Sequence, residues 1–176
     1  MEISRIGKCV KLHLPNGKVV DVLDSVIEEI CKWIQDDDTK PESGGYIVGC
    51  QHEYTGNITL EKASPPFDAD KKSRINFAIK DKRHRTFLKK ASREKSYYMG
   101  VWHTHPQTDP YPSSIDWTDW KETLRLDKTG CQFVFFIIAG TENWKLWIGN
   151  CLSGDITEGI ECHKNSEGIY IESQEN

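Results

Sequence analysis

At 176 residues the chain is long enough for one domain of ordinary size and too short to add a second catalytic one. Hydrophobic residues make up 37% and charged residues 28%, a balance that excludes disordered and membrane-embedded classes and predicts a folded soluble protein. A formal net charge of −4 removes the usual electrostatic basis for nucleic-acid binding.

Residues 1–7 lack the unbroken apolar stretch of a signal peptide, and no later run reaches bilayer-spanning length, so a cytoplasmic protein with no membrane partner is expected. Six cysteines (Cys9, Cys31, Cys50, Cys131, Cys151, Cys162) are scattered without a C-x-x-C pair. That pattern fits reduced, mostly buried thiols better than a disulfide framework.

Cys9 to Leu14 alternates in strand fashion, Asn16-Gly17 is a two-residue hairpin signal, and Lys18 to Leu23 supplies the return. Ser25 and Glu28 have capping-box spacing, and Ile27, Ile30, Cys31 and Ile34 share a helical stripe that predicts a helix ending near Asp36 to Asp38. Glu42-Ser43-Gly44-Gly45 leads into the buried strand Tyr46 to Gly49, with Ile58 to Ala63 as its neighbour. A polar, proline-bearing loop from Ser64 to Asp70 follows, then a strand over 75–79 and a basic helix from Asp81 to Glu94. Tyr97 to His105 reads as a strand, and Ser113 or Ser114 opens a helix carrying Ile115, Trp120, Leu124 and Leu126. Cys131 to Ala139 and Trp144 to Ile148 form an antiparallel pair, and Gly168 to Glu172 adds a short strand. The fold class is mixed α/β, with helices flanking a central sheet.

Residues 100–116 carry the chemistry. On a strand, His103 and His105 project from one face and can bring two imidazole nitrogens to one ion. Ser113 and Asp116, three apart at a helix start, can both point back at that strand's end. Two His and one Asp with an open fourth position is how catalytic zinc is held. The reaction also needs a carboxylate beside the metal to move protons, and Glu42 at a strand entrance, with Gly44-Gly45 permitting close approach, is the candidate. Ser113 would donate to the oxyanion of a tetrahedral intermediate.

Glu42, His103-x-His105, seven residues, Ser113, two residues and Asp116 match the JAMM signature without a departure, and the chain resembles the JAB/JAMM (MPN-domain) zinc metalloproteases from the first helix to the strand at 133–138. The resemblance implies a single JAB/MPN domain over residues 1–176 with a mostly antiparallel curved sheet. It also implies Zn2+ held by His103, His105 and Asp116, Glu42 as general base, and Ser113 as oxyanion donor. The implied reaction is cleavage after the C-terminal glycine of a ubiquitin-like modifier or of a protein conjugated by an E1/E2-like enzyme. The stretch 112–120 is most similar to bacterial JAB deconjugases of antiphage operons, which implies a cGAS-like nucleotidyltransferase as the conjugated partner. A sulfur-carrier-processing peptidase, a relative of the DNA-repair-associated JAB proteins and a non-catalytic MPN scaffold remain as alternatives.

Other features read as structural. His13, His52, His84 and His163 fall in no ligand spacing and suit surface or hydrogen-bonded roles. Asp109 reads as a turn residue, Trp120 as core, and Trp117 as either core or groove border. The basic cluster from Lys80 to Lys95 reads as a solvated helix face or a grip for an acidic partner, and the Ser64 to Ser73 loop as connector or lid.

Overall fold

The computed structural model describes residues 10–174; Cys9 and the N-terminal segment lie outside the described residues. The hairpin pairs β1 (Val10–His13) with β2 (Val19–Val22). Its loop has three residues, not two: Leu14 N donates to Lys18 O at 2.8 Å and Gly17 N to Leu14 O at 3.0 Å. Gly17 sits at φ 80, where lack of a Cβ is an advantage.

Helix α1 (Asp24–Cys31) follows, with Leu23 at its N-cap and no side-chain cap. The expected Ser25–Glu28 box does not form, because Ser25 lies inside the first turn and its hydroxyl donates to Glu61 O. The helix also stops short of Asp36. Ile34 is still buried beyond its end, so the apolar stripe outlasts the helix that it predicted.

The remaining elements are β3 (Gly44–Gln51), β4 (Ile58–Ala63), β5 (Lys71–Lys72), β6 (Phe77–Ala78), α2 (Lys82–Arg93), β7 (Tyr97–Thr104), α3 (Ser114–Leu126), β8 (Phe133–Ala139), β9 (Trp144–Asn150), β10 (Ile156–Glu158), β11 (Glu161–Lys164) and β12 (Tyr170–Glu172). The main sheet runs β10-β9-β8-β7-β3-β4-β2-β1-β11-β12. It is antiparallel except at β2–β4 and β7–β8. The strand expected over 75–79 shrinks to Phe77–Ala78, paired with β5 in a separate two-stranded ribbon. Strands β5, β10 and β11 are short and largely polar, so no hydrophobic alternation in the sequence marks them.

Alternation assigns the two faces. Along the wholly buried β8, Phe133, Phe135, Ile137 and Ala139 join Val26, Ile27 and Ile30 of α1 in one cluster, while Val134, Phe136 and Ile138 join Trp120 and Leu124 of α3 in the other. Of the apolar residues that the predicted helix carries, Trp120 and Leu124 are buried and Ile115 and Leu126 are exposed. The register of β7 against β3 shifts between Tyr98 and Gly100. One extra residue there breaks the alternation, so Tyr98 and Val101 both face the α3 cluster. No helix among the described residues is long and apolar enough to cross a membrane.

Gly100 lies where β7 passes β8, and a Cβ there would come within 1.8 Å of Phe135 O. Gly100→Ala is therefore expected to cost about 1–3 kcal/mol or more, because backbone rather than a flexible side chain must yield. The change should appear as a lower urea midpoint.

Candidate metal centre

Strand β7 ends at Thr104, and His103 and His105 project from its end toward the start of α3. His103 Nε2 lies 3.1 Å from His105 Nε2. Asp116 Oδ1 is 3.1 Å from His103 Nε2 and Asp116 Oδ2 is 3.2 Å from His105 Nε2. Among the described residues these three side chains form a group able to hold a metal ion. Ligand atoms about 2.0–2.1 Å from a tetrahedral zinc lie about 3.3 Å from one another, so the observed separations fit a zinc-sized cation. The donor chemistry fits as well. Two imidazole nitrogens and a carboxylate face one another, and a shared cation would balance their lone pairs.

The helix start places Asp116. Ser113 is the N-cap of α3, its Oγ accepting from Asp116 N at 3.1 Å while Ser113 N donates to Asp116 Oδ2 at 2.7 Å. This reciprocal box aims the aspartate at both histidines. It occupies an acceptor lone pair of Ser113 Oγ and leaves the exposed hydroxyl's proton to donate elsewhere.

Glu42 arrives from far away in sequence. Antiparallel pairing sets Gly44 opposite His103, and Glu42 Oε1 comes to 3.7 Å from His105 Nε2. That distance is too long for a hydrogen bond, so Glu42 stands beside the triad rather than in it. Its backbone is fixed on both sides: Glu42 N donates to Ser73 O at 2.8 Å, Ser43 N to Thr104 Oγ1 at 2.9 Å, and Thr104 Oγ1 to Gln35 Oε1 at 3.1 Å. Burial pushes the Glu42 carboxyl up to about 7, with His105 opposing and Asp116 reinforcing the rise. Burial would raise Asp116 too, but its bonds to His103 and His105 prevail and hold it well below the usual carboxylate range. Burial thus keeps the Glu42 carboxyl able to hold or release a proton near neutral pH while Asp116 stays charged.

A cavity of about 360 Å³ opens beside Glu42, His103 and Asp116, walled by Tyr46, Phe77, Tyr98, Val101 and Trp120. Trp120 is buried as expected, and Trp117 packs edge-on against it with centroids 5.5 Å apart. Phe77 sits over Gly44, where a Cβ would meet its ring at 2.6 Å.

The segment carrying Phe77 is stitched down. Asp70 accepts from the backbone N–H groups of Phe67, Lys80 and Asp81 at 2.8–2.9 Å and from His84 Nε2 at 2.7 Å. His84 Nδ1 lies 3.0 Å from Ser64 Oγ, which also accepts from Tyr46 N at 2.8 Å. This buried Ser-His-Asp row is structural, because Ser64 is inaccessible and its oxygen is already occupied. His84 thus has the hydrogen-bonded role expected of it, with partners 14 and 20 residues away that no local spacing reveals. The cavity wall on this side is formed by residues 76–79, which follow the Ser64 to Ser73 loop, and no residue of that loop lines it.

The other side residues sort simply. Asp109 pairs with Lys145 at 3.4 Å, outside the triad. His52 and His163 bond Thr59 and Ser173 at the surface. Of the five described cysteines all are free, and only Cys162 is fully buried, fewer than the sequence suggested.

The chain matches the family described as prokaryotic homologs of the JAB domain over residues 23–149. It is similar to proteins named CD-NTase/cGAS isopeptidase: 26% identical to that of Escherichia coli over 78% of this chain and 85% of the relative, and 24% to that of Vibrio cholerae over 74% and 81%. Against the Pseudomonas aeruginosa protein of the same name it is 30% identical over 60% of this chain and 67% of the relative. A protein of Desulfitobacterium hafniense solved in solution shares the fold at TM-score 0.55 and 17% identity, with 78% of this chain and 87% of that one covered. With the match spanning β3, β4, β7 and β8, all three helices and every residue of the triad, this chain belongs to the prokaryotic JAB-domain family.

Proposed function

We propose that this protein is a zinc-dependent isopeptidase that frees a cGAS-like CD-NTase from proteins to which an E1/E2-like system has joined its C-terminal tail. The observation that carries this reading is the convergence of His103, His105 and Asp116 at 3.1–3.2 Å with Glu42 standing next to them. The names of the relatives supply the substrate class.

In this reading His103, His105 and Asp116 hold zinc, which when bound supplies the Lewis acidity that makes water nucleophilic near neutral pH. Glu42 accepts the proton of the attacking water and passes it to the departing amine nitrogen, a role suited to a buried carboxyl titrating about 7. Ser113 Oγ–H donates to the oxygen that gains charge. The walls formed by Phe77, Tyr98 and Trp120 exclude bulk water from one side of the cleft.

The direct test incubates zinc-saturated protein with a purified CD-NTase conjugate and follows release of the intact nucleotidyltransferase by mass. A conjugate that survives undiminished refutes the assignment. The Ser113 role has its own test in Ser113→Gly, since glycine at an N-cap costs only a few tenths of a kcal/mol. Its unfolding midpoint should barely move while kcat falls about 10²–10³-fold. A loss confined to KM would contradict the role.

A further inference from the structure

The carboxamide of Gln107 touches the site from behind. Its Oε1 accepts from Tyr111 N at 2.9 Å, and because a backbone N–H only donates, the amide oxygen rather than its nitrogen must face that way. The same oxygen lies 3.3 Å from His105 Nδ1. An acceptor on that side requires His105 Nδ1 to carry the ring's proton, which leaves the Nε2 lone pair facing His103 Nε2 and Asp116. Gln107 itself is anchored by its main chain. Its carbonyl accepts from Thr141 N at 2.8 Å, and Gly140 packs so closely on it that a Cβ there would come within 2.3 Å. His105 N donates to Ala139 O at 2.9 Å just before this turn, so histidine and glutamine are both referenced to the end of β8.

We propose that Gln107 is a positioning residue that fixes the tautomer and ring orientation of His105, presenting Nε2 to the cation. The inference rests on the metal reading above. An outer partner of this kind raises the ligand's basicity and removes the freedom of the ring to turn its protonated nitrogen inward. Gln107 is exposed, so water competes for the same proton and the effect belongs at the lower end of the usual range.

The experiment compares wild type, Gln107→Leu and Gln107→Glu by zinc titration against a competing chelator, with ring-nitrogen NMR of the zinc-loaded proteins. Gln107→Leu keeps the bulk but has no acceptor, and it should bind zinc roughly 10-fold more weakly, up to 100-fold, while the His105 Nδ1 proton exchanges faster. Gln107→Glu retains an oxygen facing both His105 and Tyr111, and should hold zinc close to the wild-type affinity with the proton protected. Equal zinc affinity in wild type and Gln107→Leu overturns the proposal. So does equal weakening in both variants, or an unchanged Nδ1 proton in Gln107→Leu, because either outcome reduces Gln107 to a loop brace. Wild-type protein that takes up no zinc overturns the metal reading itself, a result distinct from the others.

Discussion

Asp116→Ala is expected to leave a protein that neither retains zinc through dialysis nor cleaves its conjugate. The carboxylate bridges both imidazoles at 3.1 and 3.2 Å, so its loss removes one of three donors and the only negative charge among them. Affinity should fall by more than the roughly 10–100-fold that loss of an outer-shell partner costs. The same substitution breaks the N-terminal box of α3, since Asp116 Oδ2 no longer accepts from Ser113 N. Elemental analysis beside activity checks the prediction, with His103→Ala as the control that leaves the helix cap alone. Stoichiometric zinc in either variant would remove the triad from the mechanism.

Glu42→Gln is expected to do the opposite to the metal: zinc content unchanged, turnover lowered about 10²–10⁴-fold, the range general acid–base groups contribute. The amide keeps the shape of a side chain that is only 4% exposed and removes its ability to move a proton. A stability signature should accompany this in metal-free protein. A buried carboxyl raised from 4.5 to about 7 holds its proton in the folded state after the unfolded chain has released its own. The fold therefore loses stability as pH rises from 4.5 to about 7 and stays at that lower level above. Relative to wild type, Glu42→Gln should gain on the order of 2–3 kcal/mol across that window. Urea midpoints of the two metal-free proteins at pH 5 and pH 8 measure the difference; a gap that does not widen with pH contradicts the burial argument, and a zinc-depleted Glu42→Gln contradicts the base role.

The site was legible wherever its parts are neighbours in sequence. His103 and His105 share a face because strands repeat every two residues, and Ser113 and Asp116 meet because a helix start brings residues three apart together. The same local rules failed where tertiary contacts compete with them. Ser25 has the spacing of a cap, yet β4 offers its hydroxyl a partner. Ile115 and Leu126 have the character of core residues, yet the face of α3 that meets β8 and β9 holds Trp120 and Leu124 instead. Ser64 to Asp70 reads as a polar connector because nothing nearby reveals that Asp70 collects three backbone donors and a buried imidazole.

What the amino-acid order determined alone is the donor set, its spacing, and the strand, loop and helix that carry it, all properties of short stretches whose geometry depends on local periodicity. The sequence also offered Glu42, 61 residues before His103, but only the folded chain decided that the pairing of β3 with β7 brings it to 3.7 Å from His105, that a one-residue shift in β7 turns Tyr98 and Val101 into the same cavity, and that Gln107 backs His105. Those relations depend on register and pairing between distant segments, where a slip of one residue sends a side chain to the opposite face while leaving every local preference satisfied.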